Sequence, residues 1–156
     1  MKLQQIANVT VGEIKQRNVV CVRRDATLID VVGLLEKAAR GAVVVEDDDG
    51  VLCGIFTERD LMFRVTHSNR DWHQIPVHEV MTANPVCVAE YESISSALAR
   101  MNQGSFRHLP RVDSDGRPTG VLSVRDVLAY LAEHFPEEFL NLPPDPSREA
   151  TEPWGG

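Results

Sequence analysis

Gly54-Ile55-Phe56-Thr57-Glu58-Arg59-Asp60 returns further along the chain as Gly120-Val121-Leu122-Ser123-Val124-Arg125-Asp126, 66 residues later. The same offset carries Val11 and Glu13 onto Val77 and Glu79, and Asn18 and Val20-Cys21-Val22 onto Asn84 and Val86-Cys87-Val88. It also carries Asp49-Gly50 onto Asp115-Gly116. A period this long marks two copies of one supersecondary unit. Either copy alone is marginal for burying a core, so the two are expected to pack on each other. Each copy sets a hydroxyl, an arginine and an aspartate together just after an apolar run. That defines two candidate sites related by pseudo-symmetry.

Working outward from the repeated stretch, 52–56 reads as a strand, and Thr57 opens a helix from 58 to about 65 with acidic residues in its first turn. Upstream, Asp47-Asp48-Asp49-Gly50 is a turn in which glycine supplies a positive φ. Ala42-Val43-Val44-Val45 is too short for a helix and β-branched, hence a buried strand. Thr27 is the N-cap of a helix whose Leu28, Val31, Val32, Leu34 and Leu35 recur at helical spacing. Residues 18–22 form the first strand. The second copy repeats the order: strand 85–88, helix 93–101, strand 109–112, turn 113–116, strand 119–122 and a helix from 124 to about 134. Each copy is thus β-α-β-β-α, and the chain is α/β (α+β), with two sheets covering each other or sharing helices about a pseudo-two-fold axis. The expected units are 1–66 (core 11–65) and 77–134, joined by a linker at 67–76. A proline-rich tail, 135–156, is expected to be extended or disordered, or to reach a partner subunit as an arm.

Composition narrows the function. The chain has 156 residues, 43% of them apolar, an ordinary value for a folded domain. A net charge of −7 without a basic face argues against nucleic acid and membrane surfaces as partners. Small anions stay open where a few arginines converge. The first 18 residues lack the apolar stretch of a signal peptide, and no run approaches membrane-spanning length. Cys21, Cys53 and Cys87 form no CxxC pair and read as small buried hydrophobes, in keeping with the reducing cytoplasm. His67, His73 and His78 with Asp71 read as a solvated loop, not a metal site, and His134 as a helix-end cation. Trp154 either anchors the tail or is idle. Ser123, His108 and Asp126 can be drawn as a triad, but no G-x-S-x-G, HExxH or P-loop accompanies them. The chain therefore reads as a binding protein, not an enzyme.

These features together resemble the CBS domain, named after cystathionine β-synthase, two tandem copies of which form a Bateman module. The resemblance covers about residues 10–134. It is carried by Asp49-Gly50 with Gly54-Ile55-Phe56-Thr57-Glu58-Arg59-Asp60-Leu61, by Arg107-His108-Leu109-Pro110-Arg111-Val112-Asp113, and by Glu79-Val80-Met81-Thr82-Ala83-Asn84-Pro85. It implies a stand-alone regulatory and signal-transduction module, an energy sensor that binds AMP, ADP, ATP, NAD(H) or S-adenosylmethionine between its paired domains. It further implies a homodimer formed through the helices, an unidentified protein target, and neither a catalytic cofactor nor a metal. By resemblance, Asp60 and Asp126 hold ribose, and Thr57 and Ser123 hold ribose or phosphate. Val20, Ile55, Val86 and Val121 flank adenine. Arg107 and His108 hold phosphate, with Arg59 and Arg125 as further phosphate candidates.

Elementary chemistry agrees. A carboxylate accepts two hydrogen bonds from a cis-diol, at roughly 1.5–3 kcal/mol for each charge-assisted bond. A helix N-terminus suits phosphate. The plainer reading stands beside it: Thr57 and Ser123 as helix caps, Asp60 and Asp126 as first-turn acids, Arg59 and Arg125 as solvated residues. The corresponding plain function is a ligand-free interaction or oligomerisation module. The copies also differ. Gly41-Ala42 stands where the second copy has Arg107-His108, so the second motif is expected to dominate phosphate binding, although such sites borrow residues across the pseudo-dyad. Arg111 replaces an apolar residue; an outward position, a dimer contact and a ligand contact are all open for it.

Overall fold

Four hydroxyl residues start the four helices that the repeat predicts. Thr27, Thr57, Ser93 and Ser123 stand in extended backbone, and their side chains accept from the backbone N–H of Asp30, Asp60, Ser96 and Asp126. Each satisfies a donor that the first turn leaves open. The structure, a computed structural model, describes residues 2–140. In chain order its elements are α1 (Lys2–Asn8), β1 (Cys21–Arg23), α2 (Leu28–Ala38), β2 (Ala42–Glu46), β3 (Leu52–Thr57) and α3 (Glu58–Asp60). There follow β4 (Thr82–Ala83), α4 (Ile94–Gly104), β5 (His108–Val112), β6 (Pro118–Ser123), α5 (Val124–His134) and α6 (Pro136–Leu140). Gly50 and Gly116 both take φ of 76° in the two β-turns, as the Asp-Gly pairs require.

One sheet has the order β1-β2-β3-β4, with β1 parallel to β2 and the other neighbours antiparallel. The second copy contributes the antiparallel pair β5-β6. Its expected first strand over 85–88 does not form. Pro85 cannot donate to a ladder, and pairing is confined to Val88, which bridges to Arg111. In the first copy the strand expected over 18–22 lies at Cys21–Arg23, although Val20 already accepts from Val44 N–H. The helix expected from 58 to 65 begins as α3 and continues as one π-turn over Leu61–Val65. α1 has no counterpart in the sequence reading. After Phe135 the chain forms α6 and not extended backbone; the remainder of the tail, with Trp154, lies outside the described residues.

The two apolar cores are each closed by the other copy's leader. Val9, Val11 and Ile14 pack with Val88, Ile94, Met101, Leu109, Leu122 and Val127 of the second copy. Ile75, Val77 and Val80 pack with Leu28, Val31, Val43, Phe56 and Val65 of the first. The backbone bonds repeat the exchange. Val11 and Gly12 donate to Glu92 and Glu90, while Val77 and His78 donate to Ala26 and Arg24. Val11 and Val77 are both fully buried, which contributes about 1.5–3 kcal/mol each. Ile75 is likewise fully buried, so the segment expected to be a linker forms part of the first core. Packing therefore crosses the boundaries that the sequence intervals suggest. Among the described residues, no helix is long and apolar enough to cross a membrane. Nor do three His, Cys, Asp or Glu side chains gather as a metal site. His73 pairs with Asp71 at 2.8 Å, and His78 Nδ1 meets the Arg24 carbonyl at 2.9 Å.

Arg111 resolves inward. It is 1% exposed, so an outward position is excluded; Nη2 donates to the Ile14 carbonyl at 3.1 Å. All three cysteines are free and half-buried, and burial pushes each thiol pKa up.

Candidate functional site

A cleft of about 690 Å³ opens between the copies. β6 ends on one of its walls, and Ser123 turns the chain from strand into α5. Asp126 closes a capping box there: its Oδ2 accepts from Ser123 N–H at 3.1 Å and from Ser123 Oγ at 2.7 Å. Among the described residues Oδ1 of Asp126 carries no hydrogen bond, and the side chain lines the cleft. The start of β5 adds Arg107 and His108, and the first turn of α5 adds Arg125. The first copy supplies the facing wall with Arg17, Arg40, Gly41, Ala42, Glu58 and Leu61. A narrower recess of about 30 Å³ continues between Val19, Val20, Ala42, Val121 and Asp126.

Four arginines thus line one cavity in a chain of net charge −7. The side chains of Arg17, Arg40, Arg107 and Arg125 make no hydrogen bond or ion pair among the described residues. Guanidinium groups without partners beside a helix N-terminus are an anion-binding arrangement. His108 lies deeper, its Cα opposite Ser123. A Cβ on Gly41 would sit 3.4 Å from His108 Nε2 and 3.6 Å from Glu58 Oε2, so both side chains lie in van der Waals reach of the first copy's Gly41. Burial pushes His108 below the usual imidazole value and Arg107 adds to the effect, while Asp126 and Glu58 act in the opposite direction.

The first copy's motif is arranged differently. Asp60 is 9% exposed and, like Thr57, does not line the cleft. Its Oδ2 closes the same capping box, accepting from Thr57 N–H at 2.9 Å and Oγ1 at 3.0 Å. Its Oδ1 faces Arg64 Nε at 3.4 Å. Arg59 turns away to the Ser105 carbonyl at 2.8 Å and lies over the Phe63 ring. Ile55 is buried in the β3-β4 pairing, and Val86 is exposed outside the cleft.

Of the residues singled out in the sequence, the structure gathers Val20, Val121, Ser123, Asp126, Arg107, His108 and Arg125 in one place. Thr57, Asp60, Arg59, Ile55 and Val86 are not part of that gathering. Sequence reasoning passed over Arg17, Ala42 and Glu58, and gave Arg40 only its nearness to Gly41. Arg17 repeats as Ala83, so a search for shared residues hides it. The Ser123-His108-Asp126 relay does not assemble: the Ser123 hydroxyl donates to Asp126, and among the described residues it has no bond to His108.

Comparison with known proteins agrees with this architecture. The family model of the CBS domain matches residues 11–67 and again 77–133, and the chain belongs to the CBS-domain family. A CBS-domain containing protein of Agrobacterium tumefaciens is 36% identical with a TM-score of 0.71, over 78% of this chain and 92% of that one. A CBS domain protein of Pyrobaculum aerophilum, solved in complex with AMP, is 26% identical with a TM-score of 0.71, over 80% of this chain and 99% of that one. The inosine-5'-monophosphate dehydrogenase of Mycobacterium tuberculosis is 40% identical over 108 residues, 69% of this chain. The match spans 19% of that enzyme's length.

Proposed function

We propose that the chain is a regulatory module that binds an adenosine nucleotide in the cleft beside Asp126 and passes its ligand state to a protein target. The observation that carries this reading is Asp126, with an Oδ1 that carries no hydrogen bond among the described residues, in the lining of a cavity shared with four arginines unpaired among those residues. Ribose hydroxyls donate to that oxygen. Adenine enters the recess between Val20 and Val121, where backbone groups provide its polar partners. Phosphates meet the α5 N-terminus, Arg107 and Arg125 from one copy, and Arg17 and Arg40 from the other. This favours AMP, ADP, ATP or NAD(H) over the sulfonium cation of S-adenosylmethionine. The AMP bound by the Pyrobaculum relative supports the same ligand class. Ligand contacts on both copies give differential affinity for two relative arrangements of those copies, which is what a switch requires.

The module acts as a binder, without chemistry of its own, in the cytoplasm, where adenine nucleotides and free thiols coexist. It works as a homodimer through a face that includes Met62, Phe63 and Leu128, exposed by 61%, 65% and 45%. Calorimetry with AMP and ATP tests the site. Asp126→Ala and Arg107→Ala each weaken binding tenfold or more, about 1.4 kcal/mol or above. No change in melting temperature with AMP, ADP, ATP, NADH or S-adenosylmethionine would overturn the reading. If the protein is still dimeric in that case, the exposed Met62-Phe63 face favours a ligand-free oligomerisation module instead.

A further inference from the structure

Two aspartates end the same motif, and only one of them is open. Asp126 lines the cleft and its Oδ1 carries no hydrogen bond among the described residues, whereas Oδ1 of Asp60 is taken by Arg64. The π-turn at Leu61–Val65 places Arg64 over Asp60, and the guanidinium then reaches three more acceptors. Nη1 donates to the Met81 carbonyl at 2.6 Å and to the Val80 carbonyl at 3.4 Å, and Nη2 to Thr82 Oγ1 at 3.3 Å. All three acceptors belong to the segment that runs into β4. Thr82 and Ala83 pair there with Ile55 and Gly54 of β3. Met81 covers Gly54 so closely that a Cβ would collide with its sulfur.

The repeat supplies the control. The segment equivalent to 80–83 is 14–17, which forms no strand beside β6, and Arg17 lines the cleft. The counterpart of Arg64 is Tyr130. Its ring stacks on His134 at 4.1 Å and makes no bond to Asp126 among the described residues.

We propose that Arg64 is a built-in occupant of the first copy's nucleoside position, so that each chain binds one nucleotide, on Asp126. The inference rests on the reading of the Asp126 cleft as the ligand site. The Asp60 contact alone is weak, because Arg64 is 47% exposed and the pair is long and screened by water. The planar fork of donors does more: one side chain bridges a carboxylate on α3 to two carbonyls just ahead of β4 and a hydroxyl in its first residue. A ribose diol arriving at Asp60 has to displace the guanidinium from Oδ1 and, with it, break its bonds to Val80, Met81 and Thr82.

Titration calorimetry with AMP and ATP, with fold checked by circular dichroism, tests the proposal. The unsubstituted protein binds one equivalent per chain, and Asp126→Ala weakens that site tenfold or more without a second site taking its place. Arg64→Ala binds two equivalents, returning to one in the double variant Arg64→Ala/Asp60→Asn. Two equivalents in the unsubstituted protein overturn the proposal, as does an Asp60-dependent site surviving in Asp126→Ala, or a folded Arg64→Ala with unchanged stoichiometry. Should Arg64→Ala not fold, the Asp126→Ala measurement decides alone. If neither nucleotide binds the unsubstituted protein, the cleft reading fails. In that case the stoichiometry of one per chain falls with it, while a single Asp60-dependent site gained in Arg64→Ala still upholds Arg64 as the occupant of the first copy's position, and no gain overturns that as well.

Discussion

Replacing Arg111 by Met is expected to stabilise the fold by about 1–2 kcal/mol. Arg111 occupies the β5 position that the repeat fills with fully buried Val45, and it is itself 1% exposed. Its guanidinium makes one hydrogen bond, to the Ile14 carbonyl, while Nε and Nη1 reach no acceptor. Burial pushes its pKa down, against the pull of Glu90 and Asp126. Removing the side chain strands the Ile14 carbonyl, at a cost of about 1–3 kcal/mol. It also removes two buried donors without partners, each worth about as much in the opposite direction. Glu90 is solvent-exposed and keeps the Gln16 amide at 2.8 Å, so losing its long-range attraction to Arg111 costs little. Met retains the unbranched stem that packs beside Gly120. Urea denaturation followed by circular dichroism reads the result. The midpoint rises with an unchanged m value, and Tm rises by about 2–4 °C per kcal/mol. A loss of more than about 1 kcal/mol would refute the argument, because it would show the buried charge to be compensated by more than one hydrogen bond.

His108 makes stability depend on pH. Its pKa in the folded protein lies below the ordinary 6.5, so its contribution is complete above that value and is lost as pH falls through the folded pKa. His108→Gln should flatten the fall in Tm below pH 6.5. Phosphate beside the ring favours the imidazolium, so AMP binding at pH 6 takes up protons; the measured enthalpy then depends on the buffer's ionisation enthalpy in the parent protein and not in His108→Gln. Thr57→Ala and Ser123→Ala each remove a helix cap and lower stability by about 1 kcal/mol. Calorimetry should show weaker AMP binding for Ser123→Ala alone. Light scattering should give twice the 17.4 kDa chain mass, reduced to one chain by Phe63→Glu at the exposed helical face.

Local signals carried much of the fold. The hydroxyl caps, the Asp-Gly turns and the β-branched run at 42–45 each fix a boundary from neighbours in sequence, and those boundaries stand. What was hidden depends on distant partners. Val11 and Val77 look alike in the repeat, but nothing local says that each crosses to the opposite core. Val86-Cys87-Val88 copies Val20-Cys21-Val22, yet Pro85 and an exposed Val86 leave it with a single bridge. The site divides in the same way. The motif identified Ser123 and Asp126 because capping and ligand chemistry both require them at that spacing. It gave Asp60 equal standing, since Arg64 lies outside the motif and its effect depends on where β4 docks. Arg17 escaped notice because it sits where the copies differ.

The crossed leaders also govern how the chain can be made. As it leaves the ribosome, the first copy has β1, β2, β3 and α2 but lacks Ile75, Val77 and Val80, and the strand β4 after them, which emerge only afterwards. The second copy, when it arrives, needs Val9, Val11 and Ile14, the earliest of its partners to be synthesised. Neither half can finish alone, so folding waits for nearly the whole chain and proceeds as a single cooperative event. A polypeptide severed in the exposed loop at 67–70 yields two fragments that are each incomplete but hold each other's missing valines. Mixed together, they are suited to reassemble without the peptide link.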